Sequence, residues 1–190
     1  MRAGEHARMH DYVEVATQAQ LDKAVKNGDI PVCRKGFFSA YDSATVDATP
    51  YVAIHKFGTG PKVKGGVVID VPTTFESVAQ WCDYYGVKQS RGRLTVFKGV
   101  DANLVSSHGM QYEPGSTVTA PDWDAGEWCG NGLHFSPRAF LTHRYTEAVR
   151  YLACTVKASD VTLLGDKIKA PSCKVLHEVD IDGERVPANV

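Results

Sequence analysis

The 190-residue chain is 43% hydrophobic and 23% charged, with a formal net charge of -1. That balance lets the chain bury a core and excludes global disorder, and the near-zero charge excludes bulk attraction to nucleic acid or an anionic membrane. No apolar run approaches the length of a membrane span and no apolar stretch follows Met1–His6, so the expected setting is cytoplasmic, with no leader or anchor.

In chain order, residues 1–10 are polar and expected to fray. Thr17 caps a helix through Lys26, with Leu21, Ala24 and Val25 on one face and Gly28 as the stop. Ile30-Pro31-Val32-Cys33 reads as an edge strand, because proline cannot donate to an interior ladder. From Phe37 to Val71 the pattern is strands and turns, with Tyr51–His55 and Val67–Val71 the most β-rich. Thr73 or Thr74 caps an amphipathic helix through Tyr85, with Phe75, Val78, Ala79, Cys82 and Tyr85 inward and Gly86 ending it. Gln89–Gly92 is turn-like and marks the expected lobe boundary. The second half opens with strand Arg93–Lys98. A Trp- and Asp-rich loop, Pro121–Trp128, leads to the junction Cys129-Gly130-Asn131-Gly132-Leu133-His134-Phe135-Ser136-Pro137, where Ser136 is expected to cap a helix starting at Pro137. Strands follow at Arg150–Val156 and Lys174–Ile181, joined by Asp160–Pro171.

The expected fold class is α+β. A β-rich N-terminal lobe, residues 1–88 with helix 74–85, precedes a C-terminal mixed sheet at 89–190. The unit Tyr41-Asp42-Ser43-Ala44-Thr45-Val46 resembles one rung of a β-solenoid, as found in proteins of actinobacteria and their phages. A hairpin-rich half of a small sheet is the other reading.

Phe97-Lys98-Gly99, Gly132-Leu133-His134-Phe135, Thr142, Tyr145 and the strand holding Glu178 follow an order that resembles the ADP-ribosyltransferase fold, in its poly(ADP-ribose) polymerase-like branch. That resemblance implies a nicotinamide pocket. Lys98-Gly99 would stand where the family has His-Gly, His134 at the first tyrosine, Thr142 at the serine and Tyr145, eleven residues after His134, at the second tyrosine. The Gly99 backbone would hold the carboxamide, Gly132 would open the second strand of the pocket, and Glu178 is the nearest candidate for the catalytic carboxylate. NAD or ADP-ribose is the implied ligand.

The chain also resembles an uncharacterised group of phage and prophage proteins. The shared pattern is Phe97-Lys98-Gly99, Gly109-Met110-Gln111-Tyr112-Glu113-Pro114-Gly115, Cys129-Gly130-Asn131-Gly132-Leu133-His134 and Lys167-Ile168-Lys169-Ala170, over residues 94–182. This second resemblance implies no activity. The leading functional expectation is a phage or prophage accessory protein, in the host cytoplasm, that binds a nucleotide-type small molecule or a host protein, with catalysis not established. An active NAD-dependent ADP-ribosyltransferase and a structural assembly module are the alternatives.

Cys33, Cys82, Cys129, Cys154 and Cys173 are odd in number and widely spread, which favours reduced thiols. Cys129 with His134 and Cys173 with His177 could supply a Cys2His2 zinc set, but neither pair has the tight Cys-x2-Cys spacing of zinc sites, so core thiols are the favoured reading. Ser106, Ser107 and His108 lack a nucleophile elbow, and Gly58–Gly66 lacks the Gly-Lys-Ser/Thr ending of a phosphate loop.

Overall fold

The computed structural model describes residues 12–34 and 37–187; residues 1–10, expected to fray, lie outside them. The chain divides into two compact units, Met1–Thr73 and Thr74–Val190. The architecture is mixed α+β, rich in strands, with two α-helices among the described residues. None of these helices is long and apolar enough to cross a membrane.

Unit 1 is a curled parallel sheet. It comprises β1 (Tyr12–Val15), α1 (Gln18–Asn27), β2 (Ile30–Cys33), β3 (Phe37–Ala40), β4 (Thr45–Phe57) and β5 (Lys62–Val71). Helix α1 starts where expected: Thr17 accepts from the Gln20 amide while the Gln20 side chain accepts from the Thr17 amide, and Gly28 takes the left-handed conformation at the end. The sheet runs β1-β2-β4-β3 with β5 also on β4, all parallel. Strand β4 bends at Pro50-Tyr51, where Tyr51 has φ 71°, so its first half lies beside β2 and its second beside β3. Val15, Leu21, Phe38, Val46, Val52 and Ile54 fill the space inside the curl. Two expectations change here. Strand β2 is interior, lying between β1 and β4; Pro31 is tolerated because β4 joins it only from Val32 onward. The strands at 51–55 and 67–71 are the ends of the longer β4 and β5.

Unit 2 opens with α2 (Val78–Tyr85), capped by Ser77 rather than Thr73 or Thr74 and closed by Gly86. Its inward face is Trp81 and Cys82, both buried, with Trp81 Nε1 donating to the Gly165 carbonyl at 2.9 Å; Ala79 is exposed. Because α2 packs into the same core as Leu94, Leu152 and Ile168, it belongs with the second unit, and the division falls at Thr73/Thr74 instead of 88/89. The supposed boundary is a tight hairpin. Arg91 and Gly92, both with positive φ, join β6 (Gln89–Ser90) to β7 (Arg93–Val100).

Two sheets follow. The first has the order β6-β7-β10-β13-β8, with β8 at Thr117–Thr119, β10 at Arg150–Lys157 and β13 at Ser172–Val179. The second has the order β11-β12-β9, with β9 at Leu133–Phe135, β11 at Thr162–Leu164 and β12 at Lys167–Ala170. The stretch 160–171, expected as a connection, is therefore the β11–β12 hairpin, turning at Gly165-Asp166. Leu94 and Val96 of β7 and Leu133 and Phe135 of β9 alternate inward, as period two requires. Ser136 does not cap a helix. Its amide and carbonyl pair with Phe97 at 2.9 and 2.8 Å, which pins the end of β9 to the middle of β7, and a 3-10 helix at Phe140–Arg144 comes later.

Candidate functional site

The Phe97–Ser136 bridge is the point where the two sheets of unit 2 part. Beyond it β7 continues through Lys98, Gly99 and Val100 along β10, while the chain after Ser136 turns away into the 3-10 helix. A cleft of about 400 Å³ opens between them.

Strand parity determines what Gly99 presents there. Along an antiparallel strand, the N–H and C=O of alternate residues point to the same side. Those of Phe97 point away from β10 and bond to Ser136. Val100, three residues from Phe97 and so of opposite parity, faces β10, accepting from the Val149 amide at 3.1 Å. Gly99 shares the parity of Phe97, so its amide and carbonyl are directed into the cleft. A side chain has no room at this position: a Cβ on Gly99 would lie 2.7 Å from Ala148 Cβ, 2.8 Å from Thr142 Oγ1 and 2.9 Å from Thr142 Cβ. Thr142 is buried and donates to the Ala139 carbonyl at 2.8 Å, which fixes its hydroxyl beside Gly99.

Lys98 continues the inward row of Leu94 and Val96. Its stem passes through the core, and its Nζ donates to the His134 carbonyl at 3.0 Å, 5.3 Å from the Tyr112 ring centroid and 5.8 Å from that of Phe135. Burial pushes its pKa down to about 8; nearby Lys167 acts in the same direction, while Cys154 and Cys173 oppose it. His134 sits across from it on β9. Burial first, then Lys167, Lys98, Lys169 and His108, press the His134 pKa down to about 4, so the ring is neutral at pH 7. Its Nε2 is buried with no hydrogen-bond partner among the described residues.

Tyr145 closes the third side. Its hydroxyl donates to Asp166, which also holds Arg144 at 2.5 Å, and Lys167 Nζ lies 4.2 Å from its ring centroid. Burial first, and then the Asp166 bond, raise the Tyr145 pKa well above the phenol range. Lys167 also donates to Cys129 Sγ at 3.1 Å.

The structure thus brings Lys98, Gly99, His134, Thr142 and Tyr145 to one cleft. Gly132 lines an adjoining hollow of about 200 Å³, which shares Lys98, His108, Gly130 and His134 with the cleft and adds Asp122. Glu178 is not with them. Both its oxygens are taken by Arg150, at 2.7 and 2.5 Å, and this guanidinium holds its carboxyl below the usual range. Among the described residues lining the main cleft there is no carboxylate, while Lys98, Lys167, His108 and His134 all reach it. The cleft thus offers lysine and histidine side chains beside the main chain of Gly99.

The sequence motifs did not assign three residues to the site. Lys167 and Lys169 alternate on β12 and therefore share a face, and β12 pairs Lys169 with His134. Lys169 is fully buried. Its Nζ donates to the Trp128 carbonyl at 3.1 Å and lies 5.8 and 5.6 Å from the Trp123 and Trp128 rings, so the Trp- and Asp-rich loop wraps around a lysine. His108 reaches the cleft from a loop. The alternation Lys167-Ile168-Lys169 was the signal available for the pair; nothing local marks His108. The four-residue zinc set does not form: no group of three or more His, Cys, Asp or Glu that could hold a metal occurs among the described residues. All five cysteines are free thiols, and Cys129 alone is exposed.

Residues 94–184 match the domain of unknown function DUF7666, a span that holds the whole cleft. No curated protein and no solved structure matches the chain.

Proposed function

We propose that unit 2 binds an anionic, nucleotide-type ligand, with ADP-ribose as the reference chemistry, in the cleft between Gly99 and Tyr145, and does not turn NAD over. The observation that carries this is the Gly99 amide and carbonyl aimed into a cleft ringed by lysine and histidine. A main-chain donor and acceptor side by side suit a carboxamide or a base edge, and Lys98 and Lys167 suit phosphate. The order of these residues and the parting of two sheets at the site support the resemblance to the ADP-ribosyltransferase fold. The same electrostatics argue against transfer chemistry. An oxocarbenium-like centre needs a carboxylate close by, and Glu178 is committed to Arg150. Lys167 over the Tyr145 ring also occupies the face on which a pyridinium would stack.

The test is calorimetric titration of ADP-ribose, NAD and AMP into the full chain, together with nicotinamide release over hours. ADP-ribose should bind, Lys167→Met should weaken it by about tenfold, as loss of a charge-assisted contact implies, and nicotinamide release should stay at background. No heat and no thermal shift with ADP-ribose would end this reading; turnover abolished by Glu178→Gln would replace it with the transferase.

A second reading concerns unit 1. Its register offsets, 15 residues for Val32↔Asp47 and 17 for Thr45↔Lys62, support reading β2–β3, β4 and β5 as successive coils of a short β-solenoid. Such a stack serves as a rigid spacer or assembly module. Removing residues 45–61 should delete one coil and leave a folded, shorter unit; global unfolding would contradict it.

A further inference from the structure

The binding just described uses Lys98 only as a charge for phosphate, yet its surroundings are unusual for a lysine. Its stem runs beside Leu94 and Val96, the residue lines both the main cleft and the adjoining hollow, and among the described residues its one hydrogen-bond acceptor is a neutral carbonyl, that of His134. The titratable groups around it are Cys154 of β10, Cys173 of β13, Lys167 of β12, His134 of β9, Tyr112 and His108 from the loop after β7, and Cys129, Tyr145 and Asp122 from the linings of the cleft and the hollow. Asp122, the one carboxylate among these, accepts from the Gly132 amide at 3.1 Å, and the Lys98 amine donates to the His134 carbonyl instead. A lysine placed in this way is a nucleophile rather than a counter-ion.

We propose that Lys98 is a reactive amine that forms an imine with a phosphate-bearing aldehyde held in the cleft. This rests on the ligand class argued above. ADP-ribose carries a free anomeric carbon and hence an open-chain aldehyde, whereas the anomeric carbon of NAD is blocked by nicotinamide. The neutral amine adds to the carbonyl carbon, forming the C–N bond; the nitrogen then loses its protons and the carbon loses its oxygen as one molecule of water. No electrons are transferred and no co-reactant is consumed. Lys167 and His108 stand where the phosphate would lie. With its pKa near 8, about a tenth of Lys98 is the free amine at pH 7, against roughly 0.03% for an ordinary lysine.

The experiment traps the imine by borohydride reduction in the full chain and maps the resulting secondary amine by peptide mass spectrometry. The probes are pyridoxal 5′-phosphate, ribose 5-phosphate and ADP-ribose. Pyridoxal phosphate should label Lys98 ahead of every other lysine, with a yield rising about tenfold per pH unit from 6 to 7 and levelling above about 8. Lys98→Arg should remove that label while leaving Lys167 and the surface lysines as they were. Label spread evenly over surface lysines, or unchanged by Lys98→Arg, overturns the proposal; the wild-type map decides this even if the variant fails to fold. The two readings separate cleanly. If pyridoxal phosphate labels Lys98 but neither ADP-ribose nor NAD protects it, the reactive amine stands and the nucleotide-type ligand falls. If ADP-ribose or NAD binds by calorimetry but no aldehyde is ever trapped at Lys98, the binding site stands and the imine falls. Trapping by ribose 5-phosphate as readily as by ADP-ribose makes the ligand a simple sugar phosphate.

Discussion

Replacing Gly99 by alanine adds a single methyl group at the point where β7, Thr142 and Ala148 meet. That methyl would make three contacts, at 2.7, 2.8 and 2.9 Å, each about half an ångström or more inside the 3.4 Å at which ordinary contact begins. Ala148 Cβ can be removed by a second substitution, but Thr142 cannot yield as easily. Its hydroxyl is tied to the Ala139 carbonyl, and its own carbonyl accepts the amides of Tyr145 and Thr146 at 3.0 and 3.1 Å. Overpacking of this kind costs ~1–3 kcal/mol, and the displacement passes directly to Tyr145. Gly99→Ala should therefore lower the stability of unit 2 by ~1–3 kcal/mol and weaken ADP-ribose binding. Adding Ala148→Gly should recover part of the stability and less of the affinity. Urea unfolding followed by tryptophan emission reads this unit selectively, because Trp81, Trp123 and Trp128 are the chain's three tryptophans and all lie in it. An unchanged midpoint together with unchanged affinity would show that β7 does not approach Thr142 as described.

Glu178→Gln should cost under ~1 kcal/mol, as a partly exposed ion pair does, and leave ADP-ribose binding within error by calorimetry. The Glu178 pKa is lowered in the folded state, so the stability it contributes is present above the unfolded carboxylate range and lost as pH falls through its folded value; urea midpoints at descending pH should show a shallower acid limb in the variant. The folded pKa of His134 is also lowered, to about 4. The unfolded chain therefore takes up this proton first, and stability should fall as pH drops from about 6.5 toward 4, a slope that His134→Gln should flatten in the same assay. Lys169→Met leaves the Trp128 carbonyl without its charged donor and should cost about 2 kcal/mol, with faster amide exchange across residues 121–132 and a red-shifted tryptophan emission.

Period-two and period-3.6 patterning made most elements of this chain legible. The Thr17 cap and Gly28 stop placed α1, and the alternation in Arg93–Lys98 and Leu133–Phe135 placed the two strands that build the cleft. What stayed hidden depended on partners remote in sequence. Pro31 argued for an edge because no local signal says that β4 begins its pairing one residue later. Residues 160–171 looked like a connection because Thr162–Leu164 and Lys167–Ala170 are each too short to declare themselves without β9. The cleft residues followed from motif order, yet their electrostatics did not. Glu178 pairs with Arg150, 28 positions away, and buried Lys169 gains its place only when the tryptophan loop folds back over it.

The hinge between the two sheets is a pair of main-chain hydrogen bonds, Phe97 with Ser136, and this gives the cleft a built-in clock. Each time those bonds break, the amides of Phe97 and Ser136 meet solvent, and the walls carrying Gly99 and His134 are free to separate. Their deuterium uptake therefore counts openings directly, whereas Leu94 and Val96, on the same strand but paired to β10, register only loss of the whole fold. A ligand that bridges both walls must slow the first pair and need not touch the second. The ratio of the two exchange rates then measures how far occupancy of the cleft stiffens its hinge, whatever the ligand is.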